Sequence, residues 1–114
     1  MDEKDICRRY AAFEAVLTGI PPMASKLYQN FPNPFNPVTK VRYQTARCGR
    51  VCLKIYDVQG RLIKTLVDKN QKAGYYEIEW TGRNHRGHTV ASGVYFYRLD
   101  TPDYRKALKM VILR

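Results

Sequence analysis

The stretch that decides the fold is Val51-Cys-Leu-Lys-Ile-Tyr-Asp-Val-Gln-Gly-Arg-Leu-Ile-Lys-Thr-Leu-Val67. In its first half Val51, Leu53 and Ile55 alternate with Cys52, Lys54 and Tyr56, which is typical of a strand with one buried face. The Asp-Val-Gln-Gly turn signal follows, and a second apolar run comes directly after it. This order predicts an antiparallel hairpin, with Gly60 supplying the positive φ that such a turn needs.

The same period of two recurs from residue 38 to the end of the chain. Further strand patterns occur around Val41, over residues 76–80, over residues 93–99 and over residues 106–113. With residues 89–91 as a short additional piece, the chain is predicted to have about seven strands, which is typical of an antiparallel β-sandwich. We expect Trp80, the only tryptophan, to lie at the centre of the sandwich.

Residues 29–37, Gln-Asn-Phe-Pro-Asn-Pro-Phe-Asn-Pro, contain three prolines and three asparagines in nine positions. Proline fixes φ and lacks a backbone donor, so neither a helix nor a central strand can form here. We expect an ordered, extended connector, with Phe31 and Phe35 packed into an adjoining apolar surface.

The N-terminal part differs from the rest in pattern and in charge. Apolar residues at helical spacing predict a short amphipathic helix over residues 2–19, which ends before Pro21. We therefore divide the chain into residues 1–26, a helix and linker, and residues 27–114, the sandwich. The helix either docks on its own domain, or is left over from a longer gene, or serves in self-association.

The formal net charge is +10, and residues 27–114 carry all of it, with sixteen Lys and Arg against six Asp and Glu. Such an excess favours acidic partners, among them glycans, lipid headgroups and nucleic acid. The basic residues are spread over most strands, as on the solvated side of a sheet, which argues against nucleic acid as the partner. No run of about 18 apolar residues predicts a membrane-spanning helix, and the N-terminus has no secretory signal pattern.

Residues that could support catalysis are few and poorly placed. Cys48, Cys52, His85 and His88 could supply four zinc ligands, but Cys52 should lie on the outer face of its strand, away from the histidine loop. Neither serine lies in the Gly-x-Ser-x-Gly pattern of a nucleophile. We therefore expect no catalysis, no metal and no cofactor.

Seven motifs follow one another in a fixed order along the chain. They are Leu27-Tyr-Gln-Asn-Phe-Pro-Asn-Pro-Phe-Asn-Pro-Val-Thr39, Ile55-Tyr-Asp-Val-Gln-Gly-Arg61, Thr65-Leu-Val67, Ala73-Gly74, Trp80-Thr-Gly-Arg-Asn84, Val90-Ala-Ser-Gly-Val-Tyr-Phe-Tyr97 and Lys109-Met110. In these motifs the chain resembles the type A C-terminal sorting domain of type IX secretion cargo, which is related to the immunoglobulin-like domain of the flagellar hook-capping protein.

The resemblance implies an immunoglobulin-like sandwich without catalytic activity, which serves as a recognition module at the end of a larger exported protein. It implies recognition by outer-membrane secretion machinery and attachment of cargo to surface lipopolysaccharide, hence a secreted or cell-surface location. The implied recognition residues come from the Pro/Asn motif, the Gly-x-Tyr element and the final strand: Asn33, Pro34, Phe35, Asn36, Pro37, Gly93, Val94, Tyr95, Lys109 and Arg114.

A second hypothesis uses the same sandwich for a different purpose. The chain would be a structural subunit of an extracellular fibre, coat or cap, and would form homo-oligomers through the N-terminal helix or the terminal strand. Because a sorting domain normally follows its cargo, we expect the chain to be either a fragment or a small protein that reuses the fold.

Overall fold

The computed structural model describes residues 22–114, which contain seven β-strands and no helix. The strands are β1 (Lys26–Leu27), β2 (Thr39–Thr45), β3 (Gly49–Asp57), β4 (Leu62–Gln71), β5 (Gly74–Trp80), β6 (Gly93–Thr101) and β7 (Tyr104–Ile112). They form two antiparallel sheets, with strand orders β1-β2-β5 and β4-β3-β6-β7. The all-β expectation is confirmed, whereas the helix predicted over residues 2–19 lies outside the described residues.

The seven strands are not the seven that the sequence predicts. Residues 89–91 form no strand, and Thr89 makes only an isolated bridge to Arg83. The additional strand is β1, in which Lys26 pairs with Gln44 and Leu27 pairs with Tyr43. Two residues are too few to show an alternating pattern, so this strand has no signature of its own in the sequence.

The core lies between the two sheets and consists of the inward-facing residues of each strand. Along β3 the alternation predicts the buried face correctly, since Val51, Leu53 and Ile55 are all fully buried. Trp80 is 2% exposed, and its ring contacts Phe35 at a centroid distance of 5.7 Å and Tyr95 at 6.0 Å. The expectation that Trp80 lies in the core is confirmed, and aromatic packing of this kind adds to the apolar area that it buries.

The predicted hairpin between β3 and β4 is also confirmed. The backbone N–H groups of Gln59 and Arg61 both donate to Asp57 Oδ1 at 2.9 Å, and Gly60 has a φ of 84°. The backbone hydrogen bond from Arg61 contributes most to lowering the pKa of Asp57. The carboxylate of Asp57 therefore stabilises the turn that the sequence specifies.

Candidate recognition site

The Pro/Asn segment lies along the outer edge of the terminal strand β7. The backbone N–H of Phe35 donates to the carbonyl oxygen of Val111 at 3.0 Å, and the N–H of Leu113 donates to the Phe35 carbonyl at 3.1 Å. The N–H of Val111 donates to the side-chain Oδ1 of Asn33 at 2.9 Å. Backbone and side chain together thus satisfy consecutive polar groups on an edge that would otherwise be open to another strand.

The same segment makes one more contact with β7, two residues closer to the start of the strand. The side-chain Nε2 of Gln29 donates to the carbonyl oxygen of Lys109 at 2.7 Å. Lys109, Val111 and Leu113 alternate along the strand, so the partners occupy three successive edge positions. We refer to residues 29–35 as the edge cover.

A buried asparagine fixes the start of the edge cover. The Asn30 backbone N–H donates to Tyr97 Oη at 2.8 Å, and that hydroxyl donates to the carbonyl oxygen of Tyr28 at 2.8 Å. The Asn30 side chain donates to Thr39 Oγ1 at 2.9 Å and to the Pro32 carbonyl at 3.2 Å. Burial of Tyr97 raises its pKa to about 12, so its hydroxyl stays protonated as the donor that this arrangement needs.

The two phenylalanines of this segment have opposite environments. Phe35 is 2% exposed and packs against Trp80, as expected. Phe31 is 80% exposed, so the expectation that it packs into an apolar surface is wrong. Phe31 forms a bridge with Lys40 at the outer side of the three-stranded sheet, whereas Phe35 bridges Ile112 beside the core.

The last residue of the chain connects the terminal strand to the loop between β5 and β6. The Arg114 backbone N–H donates to Ser92 Oγ at 2.9 Å, and its guanidinium donates to the carbonyl oxygens of Val90 at 2.9 Å and Gly82 at 3.0 Å. Gly82 has a φ of 71°, and a Cβ at this position would lie 2.7 Å from Arg114 Nη2. Gly82 therefore serves both the turn and the close approach of Arg114.

The Gly-x-Tyr element begins β6 opposite the end of β7, where Gly93 pairs with Ile112 and Val94 with Val111. A glycine at the start of a strand predicts close approach of a neighbouring chain, but this expectation is wrong for Gly93, because a Cβ there would meet nothing within 4 Å. Its φ of 147° is the feature that favours glycine. The backbone conformation, and not a close approach, therefore explains this residue.

Tyr95 joins this element to the core and to the preceding loop. Its ring meets Trp80 edge-on, and its hydroxyl donates to the carbonyl oxygen of Ala91 at 2.8 Å. Burial raises the pKa of Tyr95, and the nearby Asp57 carboxylate acts in the same direction. Tyr95 therefore packs in the core through its ring and holds the preceding loop through the hydrogen bond of its hydroxyl.

The structure thus gathers most of the predicted recognition residues at one place, which we call the C-terminal corner: residues 33–37, 93–95 and 110–114. Within it Phe35 and Tyr95 are buried, while Pro34, Asn36 and Pro37 are exposed. Leu113 is 58% exposed beside them. Lys109 lies outside the corner, one edge position back along β7, with an exposed side chain. Their roles in recognition stay predictions.

The residues weighed for chemistry lie elsewhere. The Cys52 thiol donates to Asp68 Oδ1 at 3.2 Å on the outer side of β3, and burial together with this contact raises its pKa. His85 and His88 are exposed in the loop between β5 and β6. Within residues 22–114 there is no group of three or more His, Cys, Asp or Glu side chains arranged to hold a metal ion.

Two antiparallel sheets around one apolar core define this protein as a β-sandwich. The family model of the FlgD Ig-like domain matches residues 36–101, which is more than half of the chain. The chain therefore belongs to the FlgD Ig-like domain family. No curated protein matches it.

Two solved structures from Porphyromonas gingivalis are similar over most of the described fold. Dimeric latent PorU matches with a TM-score of 0.64 and 26% identity, over 83% of this chain and 10% of the PorU chain. PorZ, an essential bacterial surface component of the type-IX secretion system, matches with a TM-score of 0.54 and 26% identity, over 77% of this chain and 11% of PorZ. The chain therefore spans about a tenth of the length of either protein.

Within residues 22–114, no helix is long and apolar enough to cross a membrane.

Proposed function

We propose that this chain is a non-catalytic sorting and cell-surface targeting module that type IX secretion machinery recognises at its C-terminal corner. The protein then acts outside the cell or on its surface. The similarity to a surface component of that secretion system supports the proposal, as does the Ig-like family to which the chain belongs.

The observation that carries the proposal is the direct pairing of two distant motifs. Phe35 of the Pro/Asn motif exchanges backbone hydrogen bonds with Val111 and Leu113 of the terminal strand. Arg114 then ties the same strand to the loop that leads into the Gly-x-Tyr element. A partner that binds this corner therefore contacts the Pro/Asn motif, the Gly-x-Tyr element and the terminal strand as one surface. That surface exists only when the domain is folded.

Reporter secretion tests this proposal. The whole chain is fused behind a periplasmic reporter with a signal peptide, in a bacterium that has the type IX machinery. We expect the reporter to reach the cell surface, and to stay in the periplasm both without the chain and in a strain that lacks the secretion system. Retention of a folded fusion in the periplasm of the competent strain would contradict the proposal.

The alternative of a fibre, coat or cap subunit differs in how β7 is used. Addition of a strand to β7 would require the edge cover to leave Val111 and Leu113, because those backbone groups are already paired. The described structure therefore favours a recognised surface over assembly through the terminal strand. Sedimentation of the chain at high concentration separates the two, since a subunit would associate and a recognition module would stay monomeric.

A further inference from the structure

The outer face of the three-stranded sheet carries a groove that the proposed sorting role does not use. The groove has a volume of about 740 Å³. Its floor is β2, from which Lys40 and Arg42 point outward together with Gln44. Its walls come from β5 on one side and from Tyr28 and the edge cover on the other.

Exposed aromatic rings form both walls. Phe31 is 80% exposed and Tyr28 is 43% exposed on one side, and Tyr75 is 69% exposed on the other. Tyr28 and Phe31 lie beside one edge of β2 and Tyr75 lies in β5 at the other edge, so aromatic rings line the groove from both sides. Exposed aromatic faces of this kind are costly to leave in water and are typical of binding surfaces.

The polar groups of the groove include both donors and acceptors. Arg42 lies 3.5 Å from Glu77, and Lys40 is opposite Glu79 in the strand register. A hydroxyl group both donates and accepts, so alternating cations and carboxylates suit a ligand rich in hydroxyls. Because each cation lies beside a carboxylate, the groove carries no net positive charge to attract phosphate groups, which argues against nucleic acid at this face.

One wall of the groove is held in place before any ligand arrives. The Tyr28 hydroxyl donates to Gln44 Oε1 at 2.8 Å, and Gln44 Nε2 donates to the carbonyl oxygen of Ala24 at 2.6 Å. Gln44 is 8% exposed, so this connection is sheltered from water. Because the Tyr28 ring is already fixed, less side-chain conformational entropy is lost when a ligand binds.

We propose that this groove binds an oligosaccharide. One saccharide chain lies along β2, with its sugar faces on Tyr28, Phe31 and Tyr75 and its hydroxyls on Arg42 and Glu77. The proposal does not rest on the sorting role, because the groove and the C-terminal corner use different residues and can be altered separately.

Affinity electrophoresis of the whole chain through gels that contain xylan, galactomannan, mixed-linkage β-glucan or polygalacturonate tests the proposal. We expect at least one polysaccharide to retard the chain. Tyr75→Ala and Phe31→Ala should each weaken that binding by roughly tenfold, because each removes one stacking ring. Tyr75→Phe keeps the ring and should bind nearly as well as the unchanged chain.

Phe96→Ala is the matched control, since Phe96 is 38% exposed on the opposite sheet and should leave binding unchanged. The proposal is overturned if none of the four polysaccharides retards the chain. It is also overturned if retardation persists in Tyr75→Ala but disappears in high salt, which would show ionic adsorption alone. The proposal is likewise overturned by self-association that Tyr75→Ala abolishes, because a second copy of the chain would then occupy this face.

Discussion

The backbone N–H of Val111 donates a 2.9 Å hydrogen bond to the side chain of Asn33, across 78 positions in sequence. This contact, with the two backbone bonds at Phe35, makes the Pro/Asn motif and the terminal strand one structural unit. Asn33 therefore has a structural role that its exposure does not suggest, and its replacement should loosen the strand that ends the chain.

Asn33→Ala should lower the free energy of unfolding by about 1 kcal/mol, because the N–H of Val111 loses its protein partner. The amide of Val111 should then exchange with solvent deuterium faster through local opening of the strand. Amides in β3, which exchange through global unfolding, should be accelerated only by as much as the loss of overall stability requires. Hydrogen exchange followed by NMR measures both effects.

Asn36→Ala is the control for this variant, because Asn36 is also an exposed asparagine of the same motif. It should change the exchange rate of Val111 little. Equal acceleration at Val111 in both variants would show that Asn33 has no particular role at the edge of β7.

Gly82→Ala should be more destabilising than Gly87→Ala, although both residues have positive φ, 71° and 83°. Both substitutions strain the backbone by about 1 kcal/mol or more. At Gly87 the added Cβ meets nothing within 4 Å, whereas at Gly82 it would lie 2.7 Å from Arg114 Nη2. Denaturant unfolding of the two variants measures the difference.

The additional cost at Gly82 should come from displacement of Arg114. In an Arg114→Ala background, Gly82→Ala should therefore cost about as much as Gly87→Ala, and the double-mutant cycle should show coupling between positions 82 and 114. Additive effects would mean that the additional cost at Gly82 does not come from displacement of Arg114.

The alkaline stability of the fold should depend on Tyr97. Burial raises the pKa of Tyr97 from 10.0 to about 12, so the folded state favours the protonated hydroxyl. Its contribution is fully present below pH 10 and is lost as the pH rises from 10 towards 12, by about 2 kcal/mol. Tyr97→Phe should therefore be less stable near pH 8 and lose less stability between pH 9 and pH 11.5.

Tyr43 also has its pKa raised to about 12, chiefly by burial, so some alkaline loss should remain in Tyr97→Phe. Urea unfolding at a series of pH values compares the unchanged chain with Tyr97→Phe. The lysines of both proteins titrate alike in this range, so the difference between the two curves reports Tyr97. Parallel curves over the alkaline range would contradict the role of Tyr97.

Sequence periodicity predicted those parts of the fold in which side-chain direction alone decides burial. Val51, Leu53 and Ile55 face the core because strand geometry leaves alternate residues on one side. The turn at residues 57–60 was equally predictable, since Asp57 and Gly60 satisfy it locally. The strand Lys26–Leu27 was not, because its existence depends on tertiary pairing with β2.

The candidate site was predictable in its residues but not in its arrangement. Nothing local distinguishes Phe31 from Phe35, since both lie between prolines and asparagines, and only the path of the chain past Trp80 buries one of them. The bonds of Arg114 go to backbone carbonyls in a loop whose path the residue types do not specify. Asn30 carried no sequence signal of its buried role, because asparagine is common in exposed connectors.

Recognition of the C-terminal corner is the central claim, and two exposed leucines allow a direct test. Leu113 is 58% exposed within the corner, and Leu62 is 48% exposed on β4, at the opposite edge of the four-stranded sheet. The measurement is the surface fraction of a secretion reporter fused to each of the variants Leu113→Gln and Leu62→Gln, after circular dichroism has shown that both fold. We predict that Leu113→Gln lowers the surface fraction and that Leu62→Gln leaves it unchanged. Equal surface fractions for the two folded variants would contradict the claim.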